Sequence, residues 1–211
     1  RPVLDDFSPD CILVPGDTTT SMAAALAGFY RNIPVGHVEA GLRTGKLRSP
    51  FPEEFNRRVS GIIARWHFAP TQINKDNLLA EQVDESQIFV TGNTVVDALH
   101  QMCDRINEDD KLKTVIQKQL VEQLDFDPKN SERVILLTCH RRENFGEGLT
   151  QICSAMRSLA TSHPTAHFIF PVHLNPNISE HVHATLGSMK NVHLLKPVSY
   201  EVFCYLLDAA Y

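Results

Sequence analysis

Four short runs in this chain carry side chains able to hold a polar or charged ligand. Gly16-Asp17-Thr18-Thr19-Thr20 sets a carboxylate beside a residue that lets the backbone turn sharply. His37-Val38-Glu39-Ala40-Gly41-Leu42-Arg43-Thr44 follows a carboxylate with a flexible glycine and an arginine. Pro52-Glu53-Glu54-Phe55-Asn56-Arg57-Arg58 begins with acids and continues with bases. His140-Arg141-Arg142-Glu143-Asn144 puts two guanidinium groups beside an imidazole, which suits a diphosphate because arginine presents a planar fork of donors. Each run also has a purely structural reading. Asp17 or a threonine can cap a helix. Glu39 can pair with Arg43 at the surface. Glu54 can pair with Arg57 or Arg58 at helical spacing. The histidine–arginine run can be a solvated loop. His173, in Pro171-Val172-His173-Leu174-Asn175-Pro176, is a further candidate, though a lone histidine is more often structural than catalytic. His181 and His183 do not share a helix face and have no acid or cysteine cluster beside them, so no metal site is expected. Neither GxGxxG nor a P-loop occurs.

The elements that would position these runs alternate along the chain. Apolar runs at 11–14, 34–38, 66–69 and 88–91 read as strands, separated by helical stretches at 18–30, 52–64 and 72–82. Thr18 or Thr19 is available as an N-cap, and Pro52 with Glu53 and Glu54 suits the first turn of a helix. A helix at 94–106 leads into the polar segment Asn107 to Ser131, the best candidate for an inter-domain connection. The alternation then restarts, with strands at 134–138, 167–172 and 192–195 and helices at 149–162, 177–188 and 200–209. Such alternation implies parallel sheets, and ligands bind at the carboxyl ends of their strands. The 211 residues are 43% apolar and 21% charged, as in ordinary globular proteins. A net charge of −5 gives no overall attraction to nucleic acid or to an anionic membrane. No apolar stretch is long enough to span a bilayer. Five scattered cysteines without a CxxC pair read as reduced thiols in a cytoplasmic protein.

Taken in order, the runs resemble the non-hydrolysing UDP-N-acetylglucosamine 2-epimerases of bacteria. Thr91-Gly92-Asn93-Thr94-Val95-x-Asp97 and the Pro171 to Pro176 run complete a set of six motifs that extends along nearly the whole chain. The resemblance implies an α/β fold of the GT-B kind, two Rossmann-like parallel-sheet domains facing a cleft, both incomplete in this chain. It divides the chain into 1–106 as the C-terminal part of the first domain, 107–131 as the connection, and 132–211 as the N-terminal part of the second, UDP-binding domain. It implies Asp17, Glu39, Glu53 and His140 as catalytic residues, and Arg43, Arg141, Arg142, Glu143, Asn144 and His173 as substrate-binding ones. The implied reaction interconverts UDP-N-acetylglucosamine and UDP-N-acetylmannosamine through a 2-acetamidoglucal. No metal or organic cofactor is implied. A cytoplasmic homodimer is, with a second UDP-N-acetylglucosamine bound as an activator.

The chain departs from the pattern at Pro15, where a histidine or glutamine is common, and at Cys139, where a glycine is common. The family's opening strand and its closing uridine-diphosphate grip are not seen in these residues, so the chain on its own is expected to be inactive. Three other readings stay open: a hydrolysing relative, a GT-B glycosyltransferase, and a silent nucleotide-sugar binding protein.

Overall fold

Parallel strands cannot be joined by tight turns, so each needs a crossover, and here the crossovers are helical. The computed structural model describes residues 2–139 and 146–211. It divides into two units, Arg1–Asp97 and Ala98–Tyr211.

The first unit opens with helix α1 (Pro2–Phe7) and continues with strands β1 (Ile12–Pro15), β2 (Val35–Val38), β3 (Trp66–Ala69) and β4 (Ile88–Val90). They run parallel in the order β1-β2-β3-β4. Between them lie α2 (Thr19–Phe29), α3 (Glu53–Ile63) and α4 (Gln72–Ala80). When every new strand is added on the same side, right-handed crossovers lay all the helices on one face. The register aligns Val14, His37, His67 and Ile88 in one row, and all four are buried. On the opposite face Leu13 and Phe89 stay 63% and 45% exposed, so this face is not a sealed core.

Local chemistry sets the helix starts. Thr18 Oγ1 accepts from the Ser21 amide at 3.1 Å and caps α2. Thr71 and Asn74 form a reciprocal capping box at the start of α4. Gly41, at φ +84°, lies so close to α4 that a Cβ there would sit 2.2 Å from the Asn74 carbonyl oxygen. Asn77 Nδ2 also donates to the Gly41 carbonyl, at 2.9 Å. The loop after β2 is thereby pinned flat against α4.

The unit boundary falls inside α5 (Thr94–Glu108). The segment expected to be a connection, 107–131, is structured and belongs to the second unit. It forms α6 (Asp110–Leu124), in which Leu112, Ile116, Leu120 and Leu124 recur every four residues and bring the last three into the core. Its charged composition obscured that stripe. Strands β5 (Val134–Leu136), β6 (His167–Pro171) and β7 (Val192–Leu195) form a parallel sheet in that order. Alternation along β6 divides the core in two. Phe168, Phe170 and Val172 pack with α7 (Glu147–Ser162) and α8 (Pro176–Leu186). Ile169 points the other way, into a cluster with α6 and α9 (Tyr200–Ala209). This sheet is covered on both faces, as parallel sheets usually are. No described helix is long and apolar enough to cross a membrane.

Candidate functional site

Asp17 and Glu39 stand side by side at the carboxyl edge of the first sheet. The register pairs Pro15 with Val38, so the residues just beyond them are neighbours. The Gly16 amide donates to the Val38 carbonyl at 2.9 Å. Gly16 turns at φ +64°, and a Cβ there would lie 3.3 Å from Glu39 Oε2. Glu39 itself has φ +66°, a conformation unusual for a residue with a side chain. Burial and the nearby charge of Asp17 push the Glu39 carboxyl above the usual range, against the opposing pull of Arg57.

Helix α3 grips the Asp17 turn. Arg57 Nη2 donates to Asp17 Oδ2 at 2.6 Å, and Asn56 Nδ2 donates to the Asp17 carbonyl at 2.9 Å. Arg57 is almost wholly buried, whereas the Asp17 side chain keeps 31% of its surface in solvent. One helical turn earlier, Glu53 shares the face of Asn56 and Arg57 by its spacing and is half-buried. Glu54 has a different environment. It is fully buried, with Arg57 at 3.5 Å, Arg58 at 3.2 Å and the Thr44 amide at 3.1 Å. The intrahelical pairing open to Glu54 from sequence is therefore present with both arginines.

His37, beneath the site on β2, places Nε2 2.8 Å from the Gly16 carbonyl oxygen, so that nitrogen carries the proton and donates. Burial holds the ring below its ordinary pKa, outweighing the Gly16 bond. Arg43 does not pair with Glu39. Its guanidinium forms a two-pronged bond to Glu81, 2.7 Å on each arm, and also donates to the Leu42 carbonyl. That engagement ties the loop after β2 to the end of α4. Sequence reasoning gave no role in the site to Asn56 or His37, and gave Arg57 only a pairing with Glu54, not with Asp17. Spacing from Glu53 was an available signal for Asn56 and Arg57. Nothing local directs His37 toward a carbonyl 21 residues away.

In the second unit, Tyr211 N donates to Val134 O at 2.8 Å, so the chain after α9 returns alongside β5, while β6 pairs with that strand separately. Ligands of open α/β sheets bind at the carboxyl ends of their strands. Thr138 and Cys139 lie at that end of β5, with His173 after β6; together with Val172, Val198 and Phe203 they line a pocket of about 280 Å³. The Asn175 amide donates to His173 Nδ1 at 3.1 Å, which leaves Nε2 as the protonated nitrogen of the neutral ring. His140, Arg141, Arg142, Glu143 and Asn144 lie outside the described residues.

The profile of one protein family, described as UDP-N-acetylglucosamine 2-epimerase, matches residues 1–211. The chain belongs to this epimerase family. It is 51% identical over 211 residues to the UDP-N-acetylglucosamine 2-epimerase of Yersinia pestis, covering 100% of this chain and 55% of that protein. The Salmonella typhimurium epimerase is 50% identical with the same two coverages. The crystal structure of the Neisseria meningitidis epimerase bound to UDP-GlcNAc superimposes with a TM-score of 0.90 at 47% identity, over 100% of this chain and 55% of that one. The chain thus spans about half the length of the curated relatives it matches. Its two parallel-sheet α/β units are the fold class expected from the alternation of strands and helices.

Proposed function

We propose that the protein carrying this chain interconverts UDP-N-acetylglucosamine and UDP-N-acetylmannosamine. The C2 proton of such a sugar is not next to a carbonyl, so its removal alone would leave an unstabilised carbanion. In the proposed reaction a base takes the C2 proton while the C1–O bond to UDP breaks and a C1=C2 double bond forms. A proton is then delivered to the opposite face of C2 as UDP adds back at C1. Two carboxyl groups in different protonation states serve this chemistry.

The observation that carries the reading is the juxtaposition of Asp17 and Glu39 at adjacent strand ends in a chain of the epimerase family. Asp17 is paired with a buried guanidinium. Glu39 is biased toward keeping its proton. Glu53 is proposed as a third acid, on the α3 face that grips Asp17. His140, Arg141 and Arg142, with Glu143 and Asn144, are proposed to hold the departing diphosphate, and His173 to contact the nucleotide through Nε2. A cytoplasmic homodimer, activated by a second molecule of its own substrate, completes the proposal.

The test uses the protein at its natural full length, in heavy water. Deuterium is expected at C2 of both epimers, and Asp17→Asn, Glu39→Gln and Glu53→Gln should each lower kcat by about 10²-fold. Turnover with full retention of the original hydrogen rules out the glycal route. Release of free N-acetylmannosamine and UDP instead identifies a hydrolase.

A further inference from the structure

The groups that hold Asp17 are more elaborate than a surface carboxylate requires. Its turn is built on Gly16 at positive φ, the most permissive backbone available. Yet three side chains restrain it: Arg57 on the carboxylate, Asn56 on the Asp17 carbonyl and His37 on the Gly16 carbonyl. We propose that Arg57 and His37 are positioning residues that fix the Asp17 carboxylate for proton transfer, a role that rests on the acid–base reading of Asp17 above.

Arg57 is itself immobilised. Its second amino group faces the buried Glu54, which is held in turn by Arg58 and the Thr44 amide. Swinging the guanidinium away would leave Glu54 buried without that partner. Arg57 Nε is buried with no hydrogen-bond partner among the described residues, and so is His37 Nδ1. Each side chain therefore forgoes one bond while keeping the one aimed at the Asp17 turn. Stability alone does not explain this arrangement, because apolar side chains of similar volume often replace a buried ion network at no loss. What they could not supply is a fixed cation against Asp17. Among the described residues, the charged and titratable groups on this side of Asp17 are Arg57 and, by its spacing, Glu53 from α3, Glu39 from the end of β2 and the neutral His37 beneath it. Arg57 is the only cation of that set, and it stands against the mutual repulsion of Asp17 and Glu39.

The experiment uses the full-length protein and the pH profile of kcat/KM. Arg57→Gln is expected to lower kcat by about 10²-fold, as for a misplaced catalytic group. It should leave KM nearly unchanged and move the acidic limb of the profile, because the cation set against the two carboxyls is gone. Arg57→Lys retains the charge but loses the fork, so about a tenfold loss is expected with the limb in place. In an Asp17→Asn background, Arg57→Lys should cause no further loss. His37→Gln, which can still donate to the Gly16 carbonyl, should stay near wild type, and His37→Phe should not. Losses in the Asp17→Asn background that simply multiply would overturn the proposal even if Arg57→Gln does not fold. So would an Arg57→Gln protein that is less heat-stable but has an unmoved limb and unchanged kcat. Absence of turnover in the unsubstituted protein would defeat the functional reading, whereas normal turnover combined with either of those outcomes defeats only the positioning role.

Discussion

Buried polar and charged side chains are divided unequally between the two units. Ser21, His37, Glu54, Asn56, Arg57, Ser60 and His67 all belong to the first, packed between its sheet and α2 and α3. In the second, the described core consists of two apolar clusters on the two faces of its sheet, and its polar contacts include the Tyr205 hydroxyl on Asp127. The difference is one of purpose. A fully apolar interior holds strands at a set spacing and leaves chemistry to the loops beyond them. An interior with fixed charges also determines which way a carboxylate at the strand ends points and which proton it keeps. The first unit then depends on ionisation state for its stability, and the second much less.

Removing one member of the charge network gives the strongest test of that contrast. Glu54→Ala would leave Arg57 and Arg58 without their shared partner, and losses of about 3–5 kcal/mol follow when a buried pair is broken from one side. Trp66, the chain's only tryptophan, lies on β3, so its fluorescence during urea unfolding reports on the first unit alone. A loss below about 1 kcal/mol, the scale of an exposed pair, would show that the network does not hold this unit together.

Acid should sharpen the contrast. Burial, together with the neighbouring His37, lowers His67 to about 4 from an ordinary 6.5. The folded state thus binds fewer protons than the unfolded one between those values, and stability rises with pH across that window. It is complete above about 6.5 and is lost as pH falls toward 4, by an amount on the order of 3 kcal/mol. His37 is shifted in the same direction. His193 in the second unit is also lowered by burial, but it is only half-buried, so the second unit should respond less. A Trp66-monitored stability curve that keeps its acid slope after His67→Phe would remove His67 as the cause.

The smallest effect belongs to the second unit. The Tyr205 hydroxyl donates to Asp127 at 2.8 Å, and burial followed by this bond pushes the phenol up to about 12. Tyr205→Phe should nonetheless cost only about 1–2 kcal/mol, because Asp127 keeps Gln117 and the Lys129 amide. A loss as large as that of Glu54→Ala would erase the distinction between the units.

Much of the fold was legible because hydrophobic period and turn chemistry agree locally. Trp66–Ala69, Val192–Leu195 and Tyr200–Ala209 begin and end where their sequences indicate, and Thr18 is the cap it was suited to be. The polar character of segment 107–131 suggested a connection, while the four-residue apolar repeat that makes α6 within it went unread. In the site, contacts within one helix could be foreseen, such as Glu54 with Arg58 four residues on. Contacts between elements could not. Arg43 finds Glu81 across 38 residues and Arg57 finds Asp17 across 40, distances over which sequence specifies no geometry. A local reading accordingly identified acids and bases but not which of them hold one another.

The left-handed backbone at Glu39 has a further implication, an evolutionary one. A residue with a Cβ pays roughly 1–2 kcal/mol for that conformation, and glycine is exempt, although glycine gives back part of the gain as chain entropy. At this position, then, the change that most relaxes the backbone is also the one that deletes the carboxylate. A lineage or a directed-evolution library selected for heat resistance alone would be drawn toward glycine here, and only simultaneous selection for turnover would retain the acid.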